Sequence, residues 1–168
     1  MRLVKDESEM ITSLDIARKE AISSFGCDEI ILEKAISNPR HIEVQILADQ
    51  YGNCIHLGER DCSIQRRHQK IIEEAPSSFL DEDLRKKIGK AAVEIAKRIN
   101  YVGVGTVEFL FDENKKFYFM EMNTRLQVEH TVTEMITGLD LVQKQIEVAQ
   151  GFPLNLEQES ILFNGHSI

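Results

Sequence analysis

Acidic, amide and guanidinium side chains occupy every second position from Glu121 to Glu129. The polar positions are Glu121, Asn123, Arg125, Gln127 and Glu129. In extended backbone, successive side chains point to opposite faces of a strand, so these five would share one face. An ordinary edge strand with a solvated face has the same alternation. Carboxylate and amide oxygens, however, are also the ligands that Mg²⁺ and Mn²⁺ prefer beside bound phosphates.

The residues before this stretch predict that its acids are held near the protein interior. Phe117, Tyr118, Phe119 and Met120 form an apolar run that we expect to be buried. Because an unpaired buried carboxylate is costly, acids at the end of such a strand need a counter-charge. Either a divalent cation or Arg125 could supply it.

A further carboxylate, Glu108, lies on the preceding strand-like run. A polar segment, 112–116, separates the two runs and predicts a hairpin. If the turn leaves four residues unpaired, Glu108 faces Glu121, and these carboxylates with the Asn123 carbonyl make a hard-oxygen site. Two like charges directly opposite one another would otherwise destabilise the sheet. A five-residue turn would put Glu121 on the other face unless a bulge intervened, so the metal prediction depends on the register.

Basic side chains crowd the segment from Arg66 to Lys70, which reads R-R-H-Q-K. For an isolated run of this kind, a solvated loop or a nucleic-acid patch is the ordinary interpretation. The alternative is a phosphate-binding segment, in which cationic side chains neutralise and position oxyanions. The run by itself leaves both interpretations open.

Length and composition are those of a globular domain with a substantial core. The chain has 168 residues, of which 42% are hydrophobic and 29% charged, and its net charge is -8. The negative charge argues against a non-specific nucleic-acid binder. Cys27, Cys54 and Cys62 lack C-x-x-C spacing and fit reduced thiols in the cytoplasm. We find no apolar run long enough to cross a membrane and no signal-peptide pattern, so we expect no membrane partner.

Capping residues and apolar periodicity predict the secondary structure. The predicted helices are Asp6–Ser24, Asp81–Ile99 and Val132–Gln150, the last interrupted near Gly138 with Asp140 as a second N-cap. The predicted strands are Glu29–Lys34, Arg40–Asp49, Cys54–Glu59 and the two runs of the hairpin. Hairpins dominate this order, so we predict an α+β fold in which helices pack on an antiparallel sheet.

Three long segments closely resemble the ATP-grasp domain of biotin carboxylase, the ATP-using component of acetyl-CoA carboxylase that pyruvate and propionyl-CoA carboxylases share. They read E-K-A-I-S-N-P-R-H-I-E-V-Q from Glu33, E-R-D-C-S-I-Q-R-R-H-Q-K-I-I-E-E-A-P from Glu59, and E-M-N-T-R-L-Q-V-E-H from Glu121. The resemblance implies an ATP-grasp fold truncated at both ends. It also implies a two-step reaction: ATP and bicarbonate give carboxyphosphate and ADP, and the carboxyl group then passes to a ureido nitrogen of biotin.

The resemblance assigns roles to individual residues. The implied metal-binding residues are Glu108, Glu121 and Asn123. The implied nucleotide-binding residues are Lys34 with the backbone of Glu33 and Ile36 at the adenine, His41 near the ribose, Leu110 under the base, and Gln65, His68 and Lys70 toward the phosphates. The implied bicarbonate and biotin pocket contains Arg125, Gln127 and Val128, and Glu129 matches the general base that removes the bicarbonate proton. The implied catalytic set is Glu129, Arg125 and Lys70.

The resemblance also implies domain boundaries, cofactors and partners. Residues 1–35 would end the lid subdomain, 36–151 would form the main ATP-grasp subdomain, and 152–168 would begin the connection to a C-terminal domain. The cofactors would be ATP with Mg²⁺ or Mn²⁺, and biotin would be the substrate on a carrier. The partners would be a biotin carboxyl carrier protein or domain and a carboxyltransferase component. We expect a cytoplasmic protein that is a homodimer in its full-length form.

Two other functions stay open at this point. The first is an ATP-grasp ligase of the carbamoyl phosphate synthetase type, against which the R-R-H-Q-K and E-M-N-T-R-L-Q-V-E-H segments speak. The second is a non-catalytic remnant that only binds a partner subunit. The two ATP-binding lysines and the glycine-rich phosphate loop of the biotin carboxylase family are absent from this sequence. We therefore expect no carboxylase turnover from the isolated chain.

Overall fold

The computed structural model describes residues 2–168, and the chain divides into two compact units, Met1–Ile36 and Ser37–Ile168. Helix α1 (Glu7–Phe25) belongs to the first unit. It begins at Asp6, whose side chain accepts hydrogen bonds from two backbone N–H groups of the first turn. It ends at Gly26, which adopts the left-handed conformation that closes many helices. The predicted first helix is therefore confirmed to within one residue at each end.

The predicted strand Glu29–Lys34 is wrong, because residues 27–36 form neither helix nor strand. A strand requires hydrogen bonds to a neighbouring strand, and no other part of residues 2–168 pairs with this segment. Two of its apolar side chains, Ile31 and Leu32, are exposed, and Ile30 is half-buried. Residue types alone suggested a strand that has no partner in the described chain.

The second unit contains an antiparallel sheet with the strand order β3-β2-β1-β4-β5 among the described residues. The strands are β1 (Arg40–Ala48), β2 (Cys54–Arg66), β3 (Gln69–Glu74), β4 (Gly103–Phe111) and β5 (Phe117–Asn123). The central strand, β1, is buried on both faces from His41 onward. Helices pack on this sheet, which confirms the predicted α+β architecture.

Helix α2 (Glu82–Arg98) covers one face of the sheet. It begins at Asp81, whose carboxylate accepts a hydrogen bond from the backbone of Leu84. Its buried residues pack on alternate residues of β1 and β4. The resulting core contains Ile88, Ala92 and Ala96 of the helix and Ile42, Val44, Ile46, Val107, Phe109 and Phe111 of the strands. The helix ends at Arg98, so Ile99, the last residue of the predicted helix, lies past its last turn and is exposed.

The basic segment contains a tight hairpin turn, in which the residues from Arg66 to Gln69 are exposed and Lys70 is half-buried. Arg67 and His68 connect β2 to β3, and their φ angles of 52° and 64° are those of a two-residue hairpin turn. β2 also continues to Arg66 instead of ending at Glu59 as predicted. The charged residues directly after Glu59, Arg60 and Asp61, pair with β1 and are buried, which local patterns of hydrophobicity do not reveal.

Two short helices follow β5, as the sequence predicts. They are α3 (His130–Thr137) and α4 (Leu141–Ala149). Gly138 closes α3 in a left-handed conformation, and Asp140 caps α4. Within residues 2–168, no helix combines the length and the apolar character needed to span a bilayer.

Candidate active site

The face of the sheet opposite α2, hereafter the polar face, is lined by polar side chains. Side chains alternate along a strand, so with Ile42 packed in the α2 core, His41 and Glu43 point to the other face. The strand register places Glu43 opposite Glu108 of β4 and opposite Arg60 of β2. All four polar residues are buried. Buried charges on neighbouring strands need partners, and the polar face supplies them.

Lys70 of β3 lies at the centre of the polar face. Its Nζ donates to Oε2 of Glu43 (2.5 Å), to Oε1 of Glu108 (2.9 Å) and to Oε1 of Glu129 (2.8 Å). Burial disfavours the ammonium, but the charge of Glu43 and the hydrogen bonds to the three carboxylates outweigh it and raise the pKa of Lys70. Lys70 is therefore a fixed cation among three acids.

Glu108 accepts hydrogen bonds on both of its oxygens. Its Oε2 accepts from His41 Nε2 (2.6 Å), and its Oε1 accepts from Lys70, from Asn123 Nδ2 (2.8 Å) and from Gln127 Nε2 (3.1 Å). Burial favours the neutral acid, but the hydrogen bonds from His41 and Lys70 outweigh it and lower the pKa of Glu108 to about 2. The carboxylate is therefore ionised at neutral pH.

His41 is held on its other ring nitrogen by Gln65. Gln65 Nε2 donates to His41 Nδ1 at 2.8 Å, so Nδ1 is the acceptor and Nε2 carries the proton that faces Glu108. Leu110 of β4 is the register partner of His41 and lies half-buried beside it on the same face. The structure thus places three residues predicted at the nucleotide next to a residue predicted at the metal.

A bulge brings Glu121 opposite Glu108. Phe111 pairs with Phe117, so the β4–β5 turn leaves residues 112–116 unpaired. This is the five-residue turn that by itself would put Glu121 on the wrong face. The register then shifts by one residue between Phe109 and Glu108, after which Glu108 pairs with Glu121. The facing carboxylates therefore arise from a longer turn combined with a bulge.

Asn123 bridges the two facing carboxylates. Its Nδ2 donates to Glu108 Oε1 at 2.8 Å and to Glu121 Oε1 at 3.3 Å. A half-turn of the amide would present the carbonyl oxygen to the same space, completing a set of hard oxygen ligands. Two like charges facing each other across a sheet also favour a cation between them. The three residues predicted to bind metal therefore come together and fit a Mg²⁺ or Mn²⁺ ion.

Two other groups of three residues on the polar face offer atoms that could bind a metal. Within each group, the ligand atoms lie within 4.8 Å of one another. The groups are His41 with Glu43 and Glu108, and Glu43 with Cys62 and Glu129. In each group Lys70 already neutralises two carboxylates. Burial, reinforced by the charge of Glu43, raises the pKa of the Cys62 thiol and so disfavours the thiolate that binds metal. The set bridged by Asn123 is therefore the better candidate for a metal.

β5 ends at Asn123, so the prediction of one extended strand from Glu121 to Glu129 is wrong beyond that residue. The exposed Arg125 donates to Asn123 Oδ1 and to the Leu126 carbonyl, each at 3.3 Å. The counter-charge beside Glu108 and Glu129 is consequently Lys70, whereas Arg125 donates to an amide and a backbone carbonyl. Lys70 lies on β3, three strands away from Glu108 in the sheet, which was outside the reach of local pattern analysis.

The predicted burial of the Phe117–Met120 run is also wrong. Phe117 and Tyr118 are half-buried, whereas Phe119 and Met120 are exposed. In the described chain β5 is the outer strand of the sheet, so one of its edges has no neighbour. β5 is therefore an edge strand, as the ordinary interpretation of the alternating sequence predicts, although its polar residues belong to the polar face.

Glu129 occupies the N-cap position of α3, where its side chain makes no capping hydrogen bond and instead faces Lys70. Burial favours its neutral form, but the hydrogen bond from Lys70 and a backbone N–H outweigh it and lower the pKa of Glu129. Glu129 is therefore an ionised, half-buried carboxylate that can accept a proton. Its neighbour Gln127 is buried and donates to Glu108.

Other predicted site residues lie outside this hydrogen-bonded cluster. His68 is exposed in the β2–β3 turn, and Val128 is 90% exposed. In the first unit, Glu33 and Lys34 are exposed and Ile36 is half-buried. Their predicted contacts with nucleotide or substrate remain predictions.

Sequence reasoning missed Arg60, which is fully buried at the middle of the polar face. It donates to Glu43, Gln45, Thr106, Gln127 and Thr133. The signal that could have found it is the alternation His41, Glu43, Gln45 on β1, which predicts a polar side to a buried strand. The predicted strand from Cys54 ends at Glu59, which leaves Arg60 outside the predicted sheet.

Comparisons with known proteins bear on the whole chain. The profile of the family described as "Carbamoyl-phosphate synthase L chain, ATP binding domain" matches residues 1–157. The biotin carboxylase of Nostoc sp. is 59% identical over 168 residues, which are 100% of this chain and 38% of that protein. The chain thus spans about a third of the length of the curated relatives it matches.

Two solved structures share the fold. Biotin carboxylase from Campylobacter jejuni, described as a β-γ-ATP complex, superposes with a TM-score of 0.91 at 53% identity and covers 99% of this chain and 37% of its own. The biotin carboxylase domain dimer of Hydrogenobacter thermophilus 2-oxoglutarate carboxylase, described in complex with MgADP, ADP and bicarbonate, gives a TM-score of 0.90 at 53% identity over 98% of this chain and 36% of its own. The resemblance to biotin carboxylases is confirmed. The chain belongs to the family of the carbamoyl-phosphate synthase L chain, ATP binding domain.

Proposed function

We propose, from this family membership and the geometry of the polar face, that the chain carries part of the active site of a biotin carboxylase. The reaction would convert ATP and bicarbonate into ADP and carboxyphosphate and then carboxylate a ureido nitrogen of biotin. The observation that carries the proposal is the Lys70 ammonium, bound to Glu43, Glu108 and Glu129 at 2.5, 2.9 and 2.8 Å. One cation thereby ties the candidate base to the candidate metal ligand.

Glu129 is the proposed general base for bicarbonate. It is ionised because Lys70 and a backbone N–H stabilise its charge, so it can take a proton at neutral pH. The ammonium of Lys70 also attracts an anionic substrate to the base. Gln127 and Arg125 lie on the same short segment as Glu129 and would contribute donors to bicarbonate and biotin, with Val128 beside them.

Glu108, Glu121 and Asn123 are the proposed ligands of Mg²⁺ or Mn²⁺. When bound, the ion would neutralise phosphate oxygens of ATP. The chain itself places the carboxyl groups of Glu108 and Glu121 on facing strands, with the amide of Asn123 between them. Glu108 keeps its charge because its pKa lies at about 2.

Residues predicted around the nucleotide extend the proposal. His41, Gln65 and Leu110 line the polar face, and His68 and Lys70 lie on the β2–β3 hairpin. Lys34, with the backbone of Glu33 and Ile36, would contact the adenine. The proposed partners are a biotin carboxyl carrier protein or domain and a carboxyltransferase component, with a homodimer as the full-length form and a cytoplasmic location.

A chimeric enzyme tests the proposal. In it, this chain replaces the matching segment of the Nostoc biotin carboxylase, with which it shares 59% identity over 168 residues. We expect the chimera to transfer labelled bicarbonate to biotin in an ATP-dependent reaction, while the isolated chain does not turn over. A folded chimera that binds MgADP but carboxylates no biotin would contradict the proposal.

A further inference from the structure

Arg60 uses every N–H of its guanidinium inside the sheet. Nε donates to Glu43 Oε1 (2.5 Å), Nη1 donates to Gln45 Oε1 (2.7 Å) and Thr133 Oγ1 (2.9 Å), and Nη2 donates to Thr106 Oγ1 (3.3 Å) and Gln127 Oε1 (3.4 Å). These are five hydrogen bonds for the five N–H groups that an arginine side chain has. The partners come from β1, β4, the segment after β5 and α3, so one side chain connects four parts of the polar face.

This arrangement requires an arginine. The side chain of Arg60 is 0% exposed, so its charge must be balanced by a carboxylate and by hydrogen bonds. Glu43 supplies the balancing charge. A lysine would keep the charge but present three donors at one point instead of five in a planar fork. It could not reach Glu43, Gln127 and Thr133 at once.

Arg60 holds one end of the Gln127 amide. The Oε1 of Gln127 accepts from Arg60, and its Nε2 donates to Glu108 at 3.1 Å. The ionised Glu108 carboxylate can only accept, so it selects the same orientation of the amide. Arg60 and Glu108 therefore hold Gln127 between them, and removal of Arg60 frees one end of the amide.

Arg60 also acts on Lys70 and Glu129 through two routes. Glu43 shares its oxygens between the two cations, with Oε1 bound to Arg60 and Oε2 bound to Lys70, which in turn holds Glu129. The second route is Thr133 on α3, the helix that begins directly after Glu129. Neither route brings Arg60 to the reacting atoms.

We propose that Arg60 is the positioning residue of this active site, holding Gln127 and the Lys70–Glu129 pair in the geometry that bicarbonate activation needs. The proposal rests on the proposed function. It assigns to Arg60 a kinetic role in addition to its part in folding, because small displacements of catalytic groups reduce turnover strongly.

Arg60→Lys in the chimera tests this role, with Arg85→Lys as the matched control. Arg85 of α2 also donates to a buried glutamate, Glu59 (2.8 Å), but on the opposite face of the sheet. For Arg60→Lys we expect kcat per folded molecule to fall about 10- to 100-fold, with KM for ATP within about twofold. For Arg85→Lys we expect loss of thermal stability with kcat and KM unchanged.

Thr133→Val covers the case in which Arg60→Lys does not fold. It removes one acceptor of Arg60 without changing side-chain volume greatly, and we expect a smaller fall in kcat of about fivefold, again with KM for ATP unchanged. If Arg60→Lys, or Thr133→Val in its place, loses stability like Arg85→Lys but keeps the kcat of the unsubstituted chimera, the proposal is wrong.

A measurement on the isolated chain separates this proposal from the proposed function. If the unsubstituted chimera is inactive, the proposed function fails, and the side-chain amide resonances of Gln127 in NMR spectra of the chain decide the role of Arg60. We expect slowly exchanging amide protons, shifted by the Glu108 carboxylate, in the parent chain and in Arg85→Lys. We expect this signature to be lost in Arg60→Lys and weakened in Thr133→Val. Its persistence in both variants would overturn the positioning role.

Discussion

Glu108→Gln should change how the stability of this chain depends on pH. Glu108 is 3% exposed, and its pKa lies at about 2 instead of the ordinary 4.5. At about 1.4 kcal/mol per pKa unit, this difference corresponds to about 3 kcal/mol of stability at neutral pH. Because the folded-state pKa is depressed, the stabilisation is fully present above about pH 4.5 and is lost as the pH falls through about 2. By pH 3, about 2 kcal/mol of it should be gone.

The assay is urea denaturation of the parent chain and the variant at several pH values between 7 and 3. The difference between their free energies of unfolding should narrow by about 2 kcal/mol over this range. Glu113→Gln is the matched control, since Glu113 is an exposed acid in the β4–β5 turn, and its effect should stay within about 0.5 kcal/mol at every pH. If the difference in free energy of unfolding between the parent and Glu108→Gln did not change with pH, the reasoning would be refuted. The ionised form of Glu108 would then interact with its partners no more strongly than the protonated form.

Three further substitutions test other parts of the structure. Lys70→Met leaves three acids without their shared cation, so the free energy of unfolding at pH 7 should fall by about 3 kcal/mol; an unchanged urea midpoint would contradict the central place of Lys70. Gly89→Ala would put a Cβ 2.5 Å from Nε2 of His56. Thermal unfolding should show that the free energy of unfolding falls by about 1–3 kcal/mol. An unchanged melting temperature would mean that α2 does not pack tightly against the His56 ring. Asp140→Ala removes the 2.8 Å cap on the Gln143 N–H and should cost about 1 kcal/mol by the same measurement, a loss that should not appear in Asp140→Asn.

The helices could be predicted because their signals are local. Asp6, Asp81 and Asp140 each cap the helix that follows within a few residues, and Gly26 and Gly138 each end one. Capping depends on hydrogen bonds inside one turn, so the sequence alone contains the information. The residue assignments implied by family resemblance placed the same polar groups in one site, and the structure brings most of them together.

The strand boundaries and the charge partners could not be predicted, because they depend on distant residues. Arg60 can lie buried in a strand because Glu43 balances its charge and Thr133 accepts one of its hydrogen bonds, and these residues lie 17 and 73 positions away in the sequence. The choice of Lys70 over Arg125 as counter-charge has the same origin. Glu108 pairs with Glu121 only because a five-residue turn is combined with a bulge. Residue types in a hairpin determine neither the turn length nor the presence of a bulge.

The most direct test of the account is the rate of biotin carboxylation by the chimera that carries Glu129→Gln. The account holds that Glu129, kept ionised by Lys70, removes the bicarbonate proton, so the chimera should carboxylate biotin and the variant should lose at least about 100-fold in kcat. MgADP affinity should stay the same in both, because Glu129 is not among the proposed metal or nucleotide ligands. A Glu129→Gln chimera that carboxylates biotin at the rate of the unsubstituted chimera would contradict the account.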